Sequence, residues 1–295
     1  GFHAVVWTDV LQALLMLFAL VLVPVLIALR LSCGEASATF VYDPRFLDPR
    51  TTAQGEPLSW VSLVSLLGWG LGYFGQPHIL ARFKALGSTE EATPARRIAL
   101  AWTALTLSGA LLAGIGGVAL VEPPLSGAAS ETVFMELLRL LLHPVPASIC
   151  LAAILAAVMS TADSQLLVCA SAATVDLPMR PVREVRTGRL VVIGVALLAL
   201  VIAWNPERRV LGLVAYAWAG FGAAFGPALL LTLHWSGMRY SGAAAAMVTG
   251  AATVVIWHHL EGGLFDMYEL VPGFLFALVA AGVGSYLERR LSGMR

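Results

Sequence analysis

Charge is what this chain has least of. Only 12% of its 295 residues are Asp, Glu, Lys or Arg, and the 18 basic and 18 acidic side chains cancel. A typical soluble domain carries about 25% charged residues. Zero net charge leaves no electrostatic footprint for nucleic acid, so none is expected as a partner. Cysteine is also scarce: Cys33, Cys150 and Cys169 have neither metal-site spacing nor the pattern of a disulfide framework. The sequence has no nucleophile constellation, no phosphate-cradling glycine loop and no HExxH motif, which leaves an enzyme reading, or one with an organic cofactor, without support. It has no low-complexity tract and no linker, so one domain is expected over residues 1–295. It opens at Gly1 and runs straight into apolar sequence, without the charged start or cleavage site of a signal peptide. This reads as the C-terminal part of a longer protein whose N-terminal helices are missing.

Apolar sequence is abundant. Hydrophobic residues make up 59% of the chain, and the mean hydropathy is +0.83. Eight apolar segments stand out, at residues 4–29, 58–81, 98–121, 147–175, 190–204, 210–233, 243–257 and 270–287. A helix needs about 20 apolar residues to cross the hydrocarbon core. The fifth and seventh segments fall short and are expected to extend into their flanks. The fold class that follows is an all-α integral membrane protein with about eight transmembrane helices, its main partner the lipid bilayer. The basic residues alternate from loop to loop, with 12 on the side of the 82–97, 176–189 and 234–242 loops and the C-terminal tail, and 6 on the other. The positive-inside rule makes the first side cytoplasmic. On the outer side, ETVFMELLRLL at 131–141 has helical apolar spacing and predicts a short amphipathic helix.

The second segment carries the most unusual sequence, GWGLGYFGQPHIL at 68–80. Four glycines and a proline are the worst residues for a helix interior. Broken backbone survives at membrane depth only where it is buried in protein or lines a cavity, and interrupted spans point to transporter binding sites. Trp69, Tyr73 and Pro77 are spaced to share one face wherever the helix holds. Gln76 and His78 lie beside them. The sixth segment, with YAWAGFGAAFGP at 216–227, resembles it in its glycines and proline. The small-residue pairs Ala113/Gly117 and Gly222/Gly226 have helix-packing spacing.

The fourth segment places Ser160, Thr161, Asp163 and Ser164 inside an apolar run. Hydroxyl and carbonyl oxygens suit a hard cation such as sodium, and the Ala157 carbonyl, one turn before Thr161, completes such a set if the turn loosens. Equally, Ser and Thr hydroxyls bond back to their own helix or join helices together. Asp9 and Asp163 are the acidic residues within or close to spans, where an ionisable group is costly and a functional hypothesis by default. Gln12 lies about one turn from Asp9.

Taken together, WTDVLQ at 7–12, GWGLGYFGQPHILARF at 68–83, AAVMST at 156–161, SQLLVC at 164–169, NPERRVLGLVAYAWAGFGAAFGP at 205–227 and LVPGF at 270–274 resemble the sodium/solute symporter family. Within it, they are most similar to the sodium/proline symporters. The resemblance covers nearly the whole chain and implies an inverted-repeat fold of five plus five helices. The first segment here would close the first repeat, the second to sixth would form the second, and the last two would be peripheral. It implies sodium-coupled import of L-proline by a multi-pass protein of the bacterial inner membrane. Substrate-side residues would be Trp69, Tyr73 and Pro77. Sodium ligands would be Ala157, Ser160 and Thr161, with Asp9 involved in coupling. Two alternatives stand beside it: a sodium symporter for another small solute (an amino acid, a monocarboxylate or pantothenate), or a symporter-like module of a membrane sensor. Ala162, Asp163 and Ser164 depart from the tripeptide of the proline symporters, so Asp163 takes no role from the resemblance.

Overall fold

The computed structural model describes residues 2–35, 48–52, 56–176, 185–204 and 210–292. Most of the polar loop 30–57, the centre of the basic loop at 177–184 and the NPERR stretch at 205–209 lie outside them. The described regular structure is helical, apart from one isolated bridge between Thr51 and Pro57. Ten α-helices follow in order: α1 Phe2–Ser32, α2 Trp60–Gly68, α3 Pro77–Lys84, α4 Ala92–Leu120, α5 Val133–Leu141, α6 Pro144–Ser171, α7 Val185–Ile202, α8 Val210–His234, α9 Tyr240–Trp257 and α10 Leu270–Ser292.

Seven of these, α1, α4 and α6–α10, are long and apolar enough to cross a membrane. The eighth apolar segment is the interrupted one, whose helical stretch Trp60–Gly75 is shorter. The two short segments extend into their flanks, to 18 residues each in α7 and α9. The chain separates into two compact units. One holds Gly1–Tyr42 and Leu86–Ile202, the other Asp43–Ala85 and Ala203–Arg295.

In the first unit, α1 packs against α4 and α6. The α1–α4 approach requires glycine: a Cβ on Gly109 would lie 2.2 Å from the Leu20 carbonyl oxygen. Without water exclusion to drive them together, membrane helices associate through such close packing. The core gathers Ala19, Val23 and Ile27 of α1, Ala113 of α4 and Cys150 of α6 around Leu137 and Leu138 of α5. The short amphipathic helix is therefore not a loose surface element. Both leucines are fully buried. Leu137→Ala should cost about 2–4 kcal/mol, because the rigid helices around it cannot collapse into the cavity; a fall in the thermal unfolding midpoint in detergent would measure it. By contrast α7 has no buried residue, and Leu190, Leu197, Leu198 and Val201 are all more than half exposed. An apolar surface of that extent fits lipid.

In the second unit, α8, α9 and α10 pack on one another. Ala219 and Ala223 of α8, Val254 of α9 and Leu270 and Phe274 of α10 form the core. The remaining face of α8 receives the interrupted segment.

Candidate functional site

The interruption follows from local sequence. Ser59 caps α2, its side chain accepting from the Ser62 N–H. After Gly68 the backbone tightens into a 3-10 helix, Trp69–Gly75, three of whose seven residues are glycine. Pro77 stops it. A residue before proline is pushed out of the α region, and Gln76 is extended at φ −77°, ψ 113°. Pro77 then opens α3 at its first turn, where a missing N–H costs nothing.

Trp69 and Tyr73 were expected to share a face only where the α-helix holds, and here it does not. At three residues per turn, positions four apart diverge by about 120°. They meet instead on α8. The Trp69 indole stacks on Trp218 at 5.8 Å between centroids, and the Tyr73 ring meets Trp218 edge-on at 4.8 Å. Trp69 also stacks on Tyr268, at 5.8 Å. Tyr268 is fixed at both ends: its N–H donates to Ser65 Oγ at 2.9 Å and its hydroxyl to the Ala215 carbonyl at 2.7 Å. Burial, with the neighbouring Glu269 carboxylate adding to it, pushes the Tyr268 phenol well above its ordinary pKa, so it stays a donor. Tyr73 keeps 51% of its surface exposed. It is the most exposed aromatic ring of the break. Pro77 is half-buried beyond the turn.

Gln76 is buried, and its amide donates to the carbonyls of Gly72 and Trp218, both at 3.2 Å. The Trp218 Nε1–H donates to the Trp69 carbonyl at 3.0 Å. The segment lies so close to α8 that a Cβ on Gly72 would fall 1.9 Å from Trp218 Nε1, and one on Gly75 would fall 2.1 Å from the Phe221 carbonyl oxygen.

The polar cluster of α6 lies in the first unit. Ser160 Oγ donates to Asp9 Oδ1 at 2.7 Å, joining α6 to α1. Thr161 Oγ1 donates to the Ala157 carbonyl at 3.2 Å, within a helix that runs unbroken through both residues. The adjacent hydroxyls thus follow both patterns open to them: one bonds across helices and the other back along its own. Gln12 Oε1, one turn from Asp9, is a buried acceptor with no hydrogen-bond partner among the described residues. Ala157 also lines a cavity of about 400 Å³ with Met16, Ala113, Glu131 and Phe134. Among the described residues no three His, Cys, Asp or Glu side chains gather as a metal-holding group. What the structure brings together is one hydroxyl and one carboxylate, Ser160 and Asp9; the Thr161 hydroxyl and the Ala157 carbonyl are bonded to each other.

Sequence reasoning placed Trp218 only within a glycine-rich span and did not single it out. Tyr268 it missed. The usable signal for Trp218 was the match of glycines and proline between the second and sixth segments; Tyr268 had none, because its part depends on the loop before α10.

Comparison with known proteins places the chain. The profile described as "Sodium:solute symporter family" matches residues 1–250. A sodium/proline symporter of Salmonella typhimurium is 47% identical over 98% of this chain and 59% of its own length, and one of Escherichia coli is likewise 47% identical over the same shares. The high-affinity proline transporter PutP of Bacillus subtilis is 44% identical over 98% of this chain and 62% of its own length. No solved structure matches. The chain belongs to the sodium:solute symporter family and is a multi-pass membrane protein. It spans about three fifths of the length of the curated relatives it matches.

Proposed function

We propose that this chain is part of a sodium-coupled transporter that imports L-proline across the bacterial inner membrane by alternating access. The observation that carries the reading is the interrupted segment on α8, with the half-exposed Tyr73 ring at its centre. The names of the relatives, sodium/proline symporters and proline transporters, support proline as the solute. Proline suits such a wall. Its pyrrolidine offers C–H groups and a cationic amine to aromatic faces, and Trp69, Tyr73 and Pro77 are the residues assigned to it. Sodium is assigned to the Ser160 and Thr161 hydroxyls and the Ala157 carbonyl, with the Asp9 carboxylate supplying charge. The Thr161–Ala157 bond must yield for both oxygens to turn to an ion. Bound sodium would favour the outward-open state and order the solute site; the interrupted segment and α8 would then close on the solute before its inward release.

The test is uptake of radiolabelled L-proline into proteoliposomes holding the intact transporter, with and without an inward sodium gradient. Sodium-dependent uptake is expected, and Tyr73→Ala should raise KM for proline at least about tenfold, the effect of losing roughly 1.4 kcal/mol of contact. Absence of proline uptake under both conditions would refute proline and point to another small solute.

A further inference from the structure

We propose that Trp218 is a positioning residue: it latches the interrupted segment to α8 at both ends and so sets the orientation of the Tyr73 ring toward a cyclic imino-acid solute. The inference rests on the reading of this site as a proline site, and it concerns a residue that acts through the segment it holds.

Trp218 meets the seven-residue 3-10 helix in four ways. Its Nε1–H donates to the carbonyl of Trp69, the first residue of that helix. Its own carbonyl accepts from the side chain of Gln76, the residue that ends it. Its ring stacks on the Trp69 indole and receives the edge of the Tyr73 ring. No other residue of α8 is bonded by a side-chain hydrogen bond to both ends of the segment among the described residues.

Tryptophan suits the position chemically. It combines a large apolar face with a single N–H donor and no acceptor, so it can fill the space above Gly72 and still satisfy a carbonyl. A backbone oxygen left bare at membrane depth is costly. Gly72 leaves the indole room, since a Cβ there would overlap Nε1. Gln76, 4% exposed, directs its amide N–H groups to two carbonyls at the same junction, those of Gly72 and Trp218. The latch therefore fixes the backbone on either side of Tyr73, while the edge-on contact fixes its ring.

Such a residue should govern selectivity more than turnover. In the intact transporter, Trp218→Phe keeps an aromatic ring and removes the donor. The expected result is a roughly tenfold rise in KM for L-proline with Vmax within about twofold. Discrimination between proline and its six-membered-ring analogue, pipecolate, should weaken. Amide hydrogen exchange over residues 69–76 should speed up in detergent whether or not solute is present. Trp204→Phe, at an exposed site away from the segment, should change none of these. If Trp218→Phe does not fold, Gln76→Met releases the other end with the ring in place and reads the same quantities.

Exchange at the wild-type rate in these variants would overturn the latch. Faster exchange with unchanged KM and unchanged ring-size preference would overturn the positioning role. Failure of the wild-type protein to transport proline would instead sink the solute assignment, and the exchange measurement would still decide the latch.

Discussion

Gly75→Ala in the intact transporter is expected to abolish uptake and lower the thermal unfolding midpoint, while Gly70→Ala leaves both near wild type. The two glycines sit in the same 3-10 helix, five residues apart, and differ in what faces them. An alanine Cβ at position 75 would lie 2.1 Å from the Phe221 carbonyl oxygen and 2.7 Å from Gly222 Cα. Both obstacles are backbone, so no rotamer change relieves them. Either the segment lifts off α8 or α8 itself bends. Overpacking in a rigid core costs about 1–3 kcal/mol, occasionally more, and backbone-to-backbone overlap belongs at the upper end. Lifting the segment would also break the Trp218 and Gln76 bonds, which adds the penalty of unsatisfied buried groups. At Gly70 nothing lies within 4 Å of the added atom, and a helical position tolerates alanine better than glycine. Uptake in proteoliposomes and unfolding in detergent, measured side by side, check the pair. A functional Gly75→Ala variant of normal stability would contradict the close approach.

The second large effect is expected at the α1–α6 cluster. Asp9→Asn should raise the sodium concentration for half-maximal uptake by about 100-fold or more, and Ser160→Ala by about tenfold. The half-buried carboxylate brings the only formal charge among the assigned ligands, and a 100-fold loss corresponds to about 2.8 kcal/mol. Ser160 supplies one neutral oxygen and one bond to Asp9. A hydrogen bond to a charged group is worth about 1.5–3 kcal/mol, part of which water or Gln12 can replace. Titrating uptake with sodium at fixed proline separates this from a change in proline KM. Unaltered sodium dependence in Asp9→Asn would remove Asp9 from the ion path. Asp163, in the same helix but without a hydrogen bond or ion pair to another described residue, should respond less.

Much of this site could be read from sequence, for identifiable reasons. The break at 68–77 was legible because glycine and proline act through local backbone sterics, which need no knowledge of neighbours. The spans were legible because bilayer thickness imposes a length on apolar runs. The pairing of Asp9 with Ser160 bridges 151 positions, and spacing could show only that each residue was out of place in lipid. The Trp69–Tyr73 geometry was legible only as a condition, because a shared face needs an α-helical period and this stretch takes three residues per turn. Whether Ser160 or Thr161 would bond across or along the helix depends on which faces α1, a property of packing. Tyr268 was invisible for the same reason: a loop aromatic has no periodic signal, and its place against Trp69 is set by the start of α10.

The tightened backbone of Trp69–Gly75 has a mechanical side. A 3-10 helix rises about 2.0 Å per residue where an α-helix rises about 1.5 Å. Seven residues therefore reach about 3.5 Å further along the axis than an α-helix of the same count. The segment with the shortest continuous helix among the eight is thus drawn out lengthwise. Relaxation to α-helical winding would retract α3 by that distance and turn it about its axis, a stroke with a defined length and sense built into seven residues.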